Sequence, residues 1–271
     1  MTHRRTAPLY SLLVITPLLS FFTATAAEKP QRVPVAEDHS LTTSEYVKLG
    51  VPNPDKIWSP ADFRAATPVL EKLSEKEASE LPRLESRKSS HVFRRLSSPA
   101  NLLLLNESRA PLARRLQLAL DYLGATNGVF KVYVNATNNT GAAFDAELIA
   151  LFELMLNQTP SLAKMIDQYV PTLSKTAPDY AARMAGLDQA KKGFEQTFEG
   201  AIITLGESNA YRTDQLLKLV ESLQKILPSF WPRFDATTRS RMKQELIKVH
   251  DGETSPKLKA DEAALARSLP L

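Results

Sequence analysis

Cysteine is absent from all 271 residues, which rules out disulfides, thiolate nucleophiles, thiolate metal sites and lipoprotein acylation at a cysteine. Histidine is nearly as scarce. Beyond the N-terminal segment only His39, His91 and His250 remain, each in polar surroundings and none at ligand spacing from another, so a His-Glu-x-x-His zinc site has nothing to build on. The P-loop, the Gly-x-Gly-x-x-Gly fingerprint, the Gly-x-Ser-x-Gly elbow and the acid ladder of a calcium loop are missing as well. No cofactor and no metal are therefore expected. After the first 27 residues no stretch free of charges reaches the ~20 residues that span a bilayer. With no cross-links the fold must rest on packing, and a chain of this length can bury ~70–75% of its unfolded surface in a core.

The N-terminus has the three parts of a secretory signal. Met-Thr-His-Arg-Arg comes first, then an apolar run from Leu9 to Phe22, then Thr-Ala-Thr-Ala-Ala before Glu28-Lys29. Residues 1–27 are read as a signal peptide for the general secretory route, because Thr6-Ala7-Pro8 lack the aromatic and leucine that follow a twin-arginine pair. An uncleaved anchor is the alternative, disfavoured by Pro17 and by the shortness of the run. Removing Arg4 and Arg5 leaves 32 of the 34 basic residues against 30 acids, so the net charge falls from +4 to +2 and gives little ground for nucleic-acid or membrane binding. A cysteine-free exported chain suits a bacterial envelope or secretion pathway better than an animal one. The Asn-x-Ser/Thr triplets at Asn106, Asn135, Asn138 and Asn157 are read as accidental.

Residues 28–41 mix prolines and charges without an apolar period and are expected to form a disordered lead segment, with residues 42–271 as a single helical domain ending in a charged tail. Prolines at 52, 54, 60, 68, 82, 99 and 111 keep the helices of the first third short. One start is well specified: Ser59 caps, Pro60 takes the first helical position, Asp62 faces the positive end, and Trp58 staples onto Phe63. Pro68 is expected to kink that helix or restart it with Thr67 as cap, and Ser74-x-x-Glu77 offers a further capping box.

The proline-free windows 112–159 and 179–227 should hold the main helices. Leu112, Leu116, Ala119, Leu120 and Leu123 recur at helical spacing, as do Leu148, Leu151, Phe152, Met155 and Leu156. Between them Val129–Val134 has strand-like residues after a possible Asn127-Gly128 turn, but with no second strong run to pair with, an irregular or helical segment is favoured. Helices are further expected near 179–205 and 214–227 and after Asp235. No fixed repeat occurs. The fold class is all-α: an irregular helical bundle of short N-terminal helices followed by several longer ones.

Three features could carry function. On the 179–205 helix, Ala182, Gly186, Ala190, Gly193, Thr197, Gly200 and Thr204 form a stripe of small residues at steps of three or four, beside an apolar seam of Met184, Leu187, Phe194, Phe198, Ala201 and Leu205 broken by Lys191. The three glycines together cost ~3 kcal/mol relative to alanine unless a neighbour uses the space, so a close helix crossing is favoured over a groove for a partner helix or apolar ligand. The second is a basic stretch containing Arg83, Arg87, Lys88, Arg94 and Arg95, continuing through Arg109, Arg114 and Arg115, and opposed only by Glu85 and Glu107. It is a solvated face or a dock for an anionic envelope polymer. The third is the turn around Phe230, Trp231 and Phe234, read as core packing rather than ligand stacking.

Glu107-Ser108 resembles the Glu-Ser of lytic transglycosylases, and Gly186-Leu187-Asp188-Gln189 their Gly-Leu-x-Gln. The resemblance implies Glu107 as a general acid in a peptidoglycan-active helical enzyme. In that family the two motifs lie a few turns apart, whereas here about 80 residues separate them. Glu107 reads more simply as an acid near the start of the next helix. The expected function is thus a non-catalytic exported binding or interaction protein of the cell envelope or extracellular space, with an anionic polymer or a protein as partner and no nucleic acid. N-terminal sequencing of exported material should find Ala27 or Glu28 first, and an intact Met1 there would overturn the processing.

Overall fold

A computed structural model describes residues 38–102, 109–140, 144–207 and 210–270. Every regular element among them is helical. The α-helices are α1 (Thr43–Lys48), α2 (Pro60–Lys76), α3 (Ser90–Leu96), α4 (Leu112–Thr140), α5 (Asp145–Tyr169), α6 (Tyr180–Leu205), α7 (Thr213–Phe230), α8 (Ala236–Gly252) and α9 (Pro256–Ser268), joined by short 3₁₀ turns. The expected signal peptide and most of the lead segment lie outside the described residues. The end of that segment is tied down: Ser40 is buried and bonds to Ser86 at 2.8 Å, and the Ser86 hydroxyl donates to Asp38 at 2.6 Å.

Local signals explain where several helices begin. Ser59 and Asp62 form the expected capping box, with Pro60 in the first turn, and the Trp58 and Phe63 rings meet edge to face at 5.5 Å. Asp235 caps α8 by accepting from the Thr238 amide at 2.7 Å. The prolines, in contrast, stop less than expected. Helix α2 runs through Pro68 without a restart, and the Ser74 hydroxyl donates to Glu71 O from inside the helix instead of capping a new one. The buried row Phe63, Ala66, Leu70 and Leu73 packs α2 on α4, which outweighs the lost backbone bond. Helix α5 likewise continues past Pro160. Proline there cannot donate to Leu156 O, but the Thr159 hydroxyl does so at 2.7 Å.

Residues 129–134 are helical and lie inside α4. Buried Val129, Val132, Tyr133 and Ala136 recur at three and four, so the packing period decides against the strand content of the segment. Gly128 makes no turn. A methyl group there would touch Thr67 Cγ2 at 3.7 Å, so it marks the approach of α2 to α4.

The packing order is α2 on α4, α4 on α5, then α5 on both α6 and α7, with α8 on α6 and α9 across α7 and α8. One hydrophobic core runs from Tyr46 to Leu269. Phe230, Trp231 and Phe234 belong to it, the first two each in ring contact with Phe234, and Phe194 and Phe198 join the cluster through Phe230. The segment read as a charged tail forms α9, which buries Leu258 and Leu265.

The small-residue stripe of α6 is mostly internal: Gly186, Ala190, Gly193, Thr197, Gly200 and Thr204 are buried, while Ala182 is exposed. Its two threonines satisfy their hydroxyls by donating to Gly193 O and Gly200 O, at 2.8 and 2.9 Å. A methyl at Gly200 would stand 3.6 Å from Phe152 Cζ. Gly193→Leu should therefore destabilise the protein by ~1–3 kcal/mol through overpacking, although leucine is the better helix former by close to 1 kcal/mol. Denaturant titration reads the sign, and a gain in stability would mean that this face lies open.

Candidate functional site

Where the first turns of α4, the end of α5 and the start of α6 converge, a small apolar cleft opens at the surface. Ala113, Leu116, Gln117 and Leu120 share one face of α4 by their spacing of three and four, and Leu187 faces them from α6. Gly186 contributes no side chain, which leaves the space between them unfilled. Thus one end of the glycine stripe lines a cleft, while Gly200 packs against a ring and Gly193 is buried in the bundle.

Three polar side chains reach the cleft, and their partners decide what it offers. Arg183 is spent internally: Nε and Nη2 engage Asp179 at 2.8 and 2.6 Å, and Nη1 donates to the Tyr169 hydroxyl at 2.7 Å. The hydrogen bond it donates to Asp179, and then the one it donates to Tyr169, hold its pKa above the ordinary value. Gln117 points its amide nitrogen at Asp121, 2.8 Å away, which leaves its buried oxygen Oε1 without a hydrogen-bond partner. No acceptor for the Tyr169 hydroxyl hydrogen is found among the described residues. The cleft wall is therefore apolar, with an unmet but buried Gln117 oxygen on one lining side chain and the lining cation already neutralised.

The five basic residues of the candidate anion site divide. Arg83 lies 3.5 Å from Glu147 and 4.4 Å over the Phe144 ring, Lys88 donates to Asp38 O at 3.0 Å, and Arg95 donates to Pro54 O at 2.7 Å. Arg87 and Arg94 are exposed. Glu107 and Ser108 lie outside the described residues. The Gly186-Leu187-Asp188-Gln189 motif is an ordinary stretch of α6, with its first two residues lining the cleft.

A charge cluster sits at the start of α5. Asp145 accepts from Arg212 through its backbone N–H at 3.1 Å and its Nε at 2.8 Å, while Arg212 Nη2 reaches Glu85 at 2.9 Å. These bonds raise the Arg212 pKa. Buried Glu147 accepts from the Leu84 amide at 2.6 Å, and its second oxygen has no hydrogen bond. Burial raises the Glu147 pKa, against the pull of Arg83 and the Leu84 N–H. Both acids lie in the first turn of α5, where the helix dipole favours negative charge. The arrangement is a clamp that fixes the 82–85 loop and the segment before α7 to one helix end. Among the described residues no group of three or more His, Asp or Glu side chains is placed to hold a metal ion.

No family model, curated protein or solved structure matches the chain. Gln117, Tyr169 and Arg183 escape a reading of the sequence because residues from three helices build the cleft. Gly186 and the Leu116/Leu120 face were the visible part of it.

The clamp has a testable pH signature. Arg83→Met leaves the Glu147 carboxylate without its cation and should cost about 2 kcal/mol at pH 7. Because the folded Glu147 pKa is already raised, the stability it withholds grows as pH rises above the ordinary carboxylate range. The cost of Arg83→Met should accordingly shrink toward pH 4, where Glu147 takes up a proton, and urea titrations at both pH values would reveal an equal cost if the pairing is idle.

Proposed function

We propose that the chain is an exported, non-catalytic binding protein of the cell envelope or extracellular space, which seats an uncharged, largely apolar ligand carrying an amide in the cleft between α4, α5 and α6. The observation that carries this reading is an apolar cleft whose lining includes Gln117, with an unmet Oε1, and Tyr169, whose hydroxyl hydrogen has no acceptor among the described residues, while the lining cation Arg183 is held by Asp179. An amide matches that pair, accepting through its carbonyl and donating through its N–H. An anion gains nothing there, since Arg183 has its counter-ion and the Gln117 oxygen repels negative charge. The lining residues include no carboxylate, histidine or serine, so they offer no nucleophile and base within reach of each other.

Export is supported by the layout of the first 27 residues. No helix among the described residues is long and apolar enough to cross a membrane. The anionic-polymer alternative draws less support, because Arg83, Lys88 and Arg95 are bonded within the chain.

Titrating N-acetyl-leucinamide into isotope-labelled protein should shift the Gln117 side-chain amide and the backbone signals of residues 183–187. The matching anion, N-acetyl-leucine, should bind about tenfold more weakly, in line with one lost neutral hydrogen bond. Gly186→Leu, which fills the cleft, should abolish both responses. An unresponsive Gln117 and α6 would sink the reading.

A further inference from the structure

Helix α9 carries a core stripe with one misfit. Leu258, Leu265 and Leu269 are buried, and Glu262 lies on the same face with no exposed surface at all. Neither of its carboxylate oxygens has a hydrogen-bond partner. The His250 Nδ1 nitrogen stands 4.0 Å away, beyond hydrogen-bond reach, and is itself unpartnered. Just past the end of α8, Glu253 is also buried and accepts from the Ser255 amide.

Of the other charges on α8, Arg241 is held by Glu199, Lys248 pairs with Glu245, Lys243 lies over the Trp231 ring and Asp251 is exposed. On its own helix, Lys259 attracts Glu262, weakly set against burial and the repulsion from Glu253. Helix α7 turns its charges elsewhere: Lys218 and Glu221 act on Glu153, Asp214 is bonded by the Gln215 amide, and Lys225 is exposed. What α7 offers α9 is neutral, the Gln224 amide donating to Asp261 O at 2.8 Å. A fully buried carboxylate in such a place is far costlier than a buried carboxylic acid.

We infer that the seating of α9 on α7 and α8 is gated by the protonation of Glu262: the helix stays docked while the carboxyl holds its proton and opens more often once it ionises. Burial first, then the negative charge of Glu253, pushes the carboxyl up to about 7. In an opened α9 the group meets water and titrates at its ordinary 4.5. The ratio of open to docked helix is then flat below that value, climbs about tenfold per pH unit between the two, and levels off above pH 7, a change on the order of 10²-fold. The remaining contacts do not titrate, namely the three leucines, the Gln224 bond and the Trp231 Nε1 donation to Pro270 O at 3.1 Å. The helix therefore remains mostly seated at neutral pH, and the opening bares its apolar stripe and the α7 surface beneath.

Native-state hydrogen exchange on the full chain between pH 5 and 8, corrected for intrinsic rates, reads this directly. Protection of the α9 amides should fall by one to two orders of magnitude across that range, while α4 and α5 stay protected. Glu262→Gln, close to isosteric, should hold α9 protection at its low-pH level throughout. His250→Ala should leave the pH dependence in place. The inference fails if α9 protection is independent of pH, if all helices lose protection together, if the dependence survives in Glu262→Gln, or if it vanishes in His250→Ala. Carbon-detected titration of the Glu262 carboxyl gives a check without a variant, and a midpoint in the ordinary carboxylate range would equally overturn it.

Discussion

Burial of α5 on several sides at once is the constraint on which the rest of the bundle depends. Without disulfides, something must join the N-terminal helices to the C-terminal ones, and α5 is packed by α4 on one side and by α6 and α7 on others. A helix covered that way is apolar around most of its circumference, and α5 buries Leu148, Ile149, Leu151, Phe152, Met155 and Leu156 within three turns. The two acids of its first turn, Asp145 and Glu147, are themselves buried and need donors other than water. The clamp of Arg212, Arg83 and the Leu84 amide answers this need. It also gives Arg83 of the basic stretch a buried acid to meet, whereas Arg87, Lys88 and Arg94 of that stretch stay exposed.

Elements set by local chemistry could be read directly. Ser59 with Asp62 and Asp235 with Thr238 begin helices because a side-chain oxygen three residues back satisfies an orphan amide, a matter of spacing alone. Where proline and glycine suggest punctuation, tertiary packing decides otherwise. Pro68, Pro160 and Pro228 all lie within helices. Each forfeits one backbone bond, and the apolar rows around it outweigh that loss. Asn127-Gly128 looked like a turn for the same reason, although Gly128 serves the approach of Thr67 instead.

The candidate site was only partly visible. Spacing revealed that the glycines of α6 share a face, and six of the seven stripe residues are indeed buried. It could not show that the same face meets a ring at Gly200 and open space at Gly186, because the difference lies in what the other helices bring. Charge density along the chain was a poorer guide. A run of cations says nothing of where each side chain finds a partner, and Arg83, Lys88 and Arg95 find theirs within the protein. Glu262 was the reverse case. Its place in the row Leu258, Glu262, Leu265, Leu269 follows from the sequence, whereas its complete burial follows only from α9 lying across α7 and α8.

The two kinds of unsatisfied oxygen in this protein differ in reach and in charge, and their roles diverge for that reason. Gln117 Oε1 is neutral and belongs to a side chain that lines a cleft, so a small rotation could bring it to a donor from outside, at a cost in the empty state of one missing hydrogen bond. Glu262 has no such space. Nothing can come to it without moving a helix, and its charged form is far harder to bury than an amide. Its remaining ways out are to take a proton or to leave the core. An unmet group beside a cavity selects what binds, whereas an unmet acid sealed between helices couples the packing of those helices to the proton concentration.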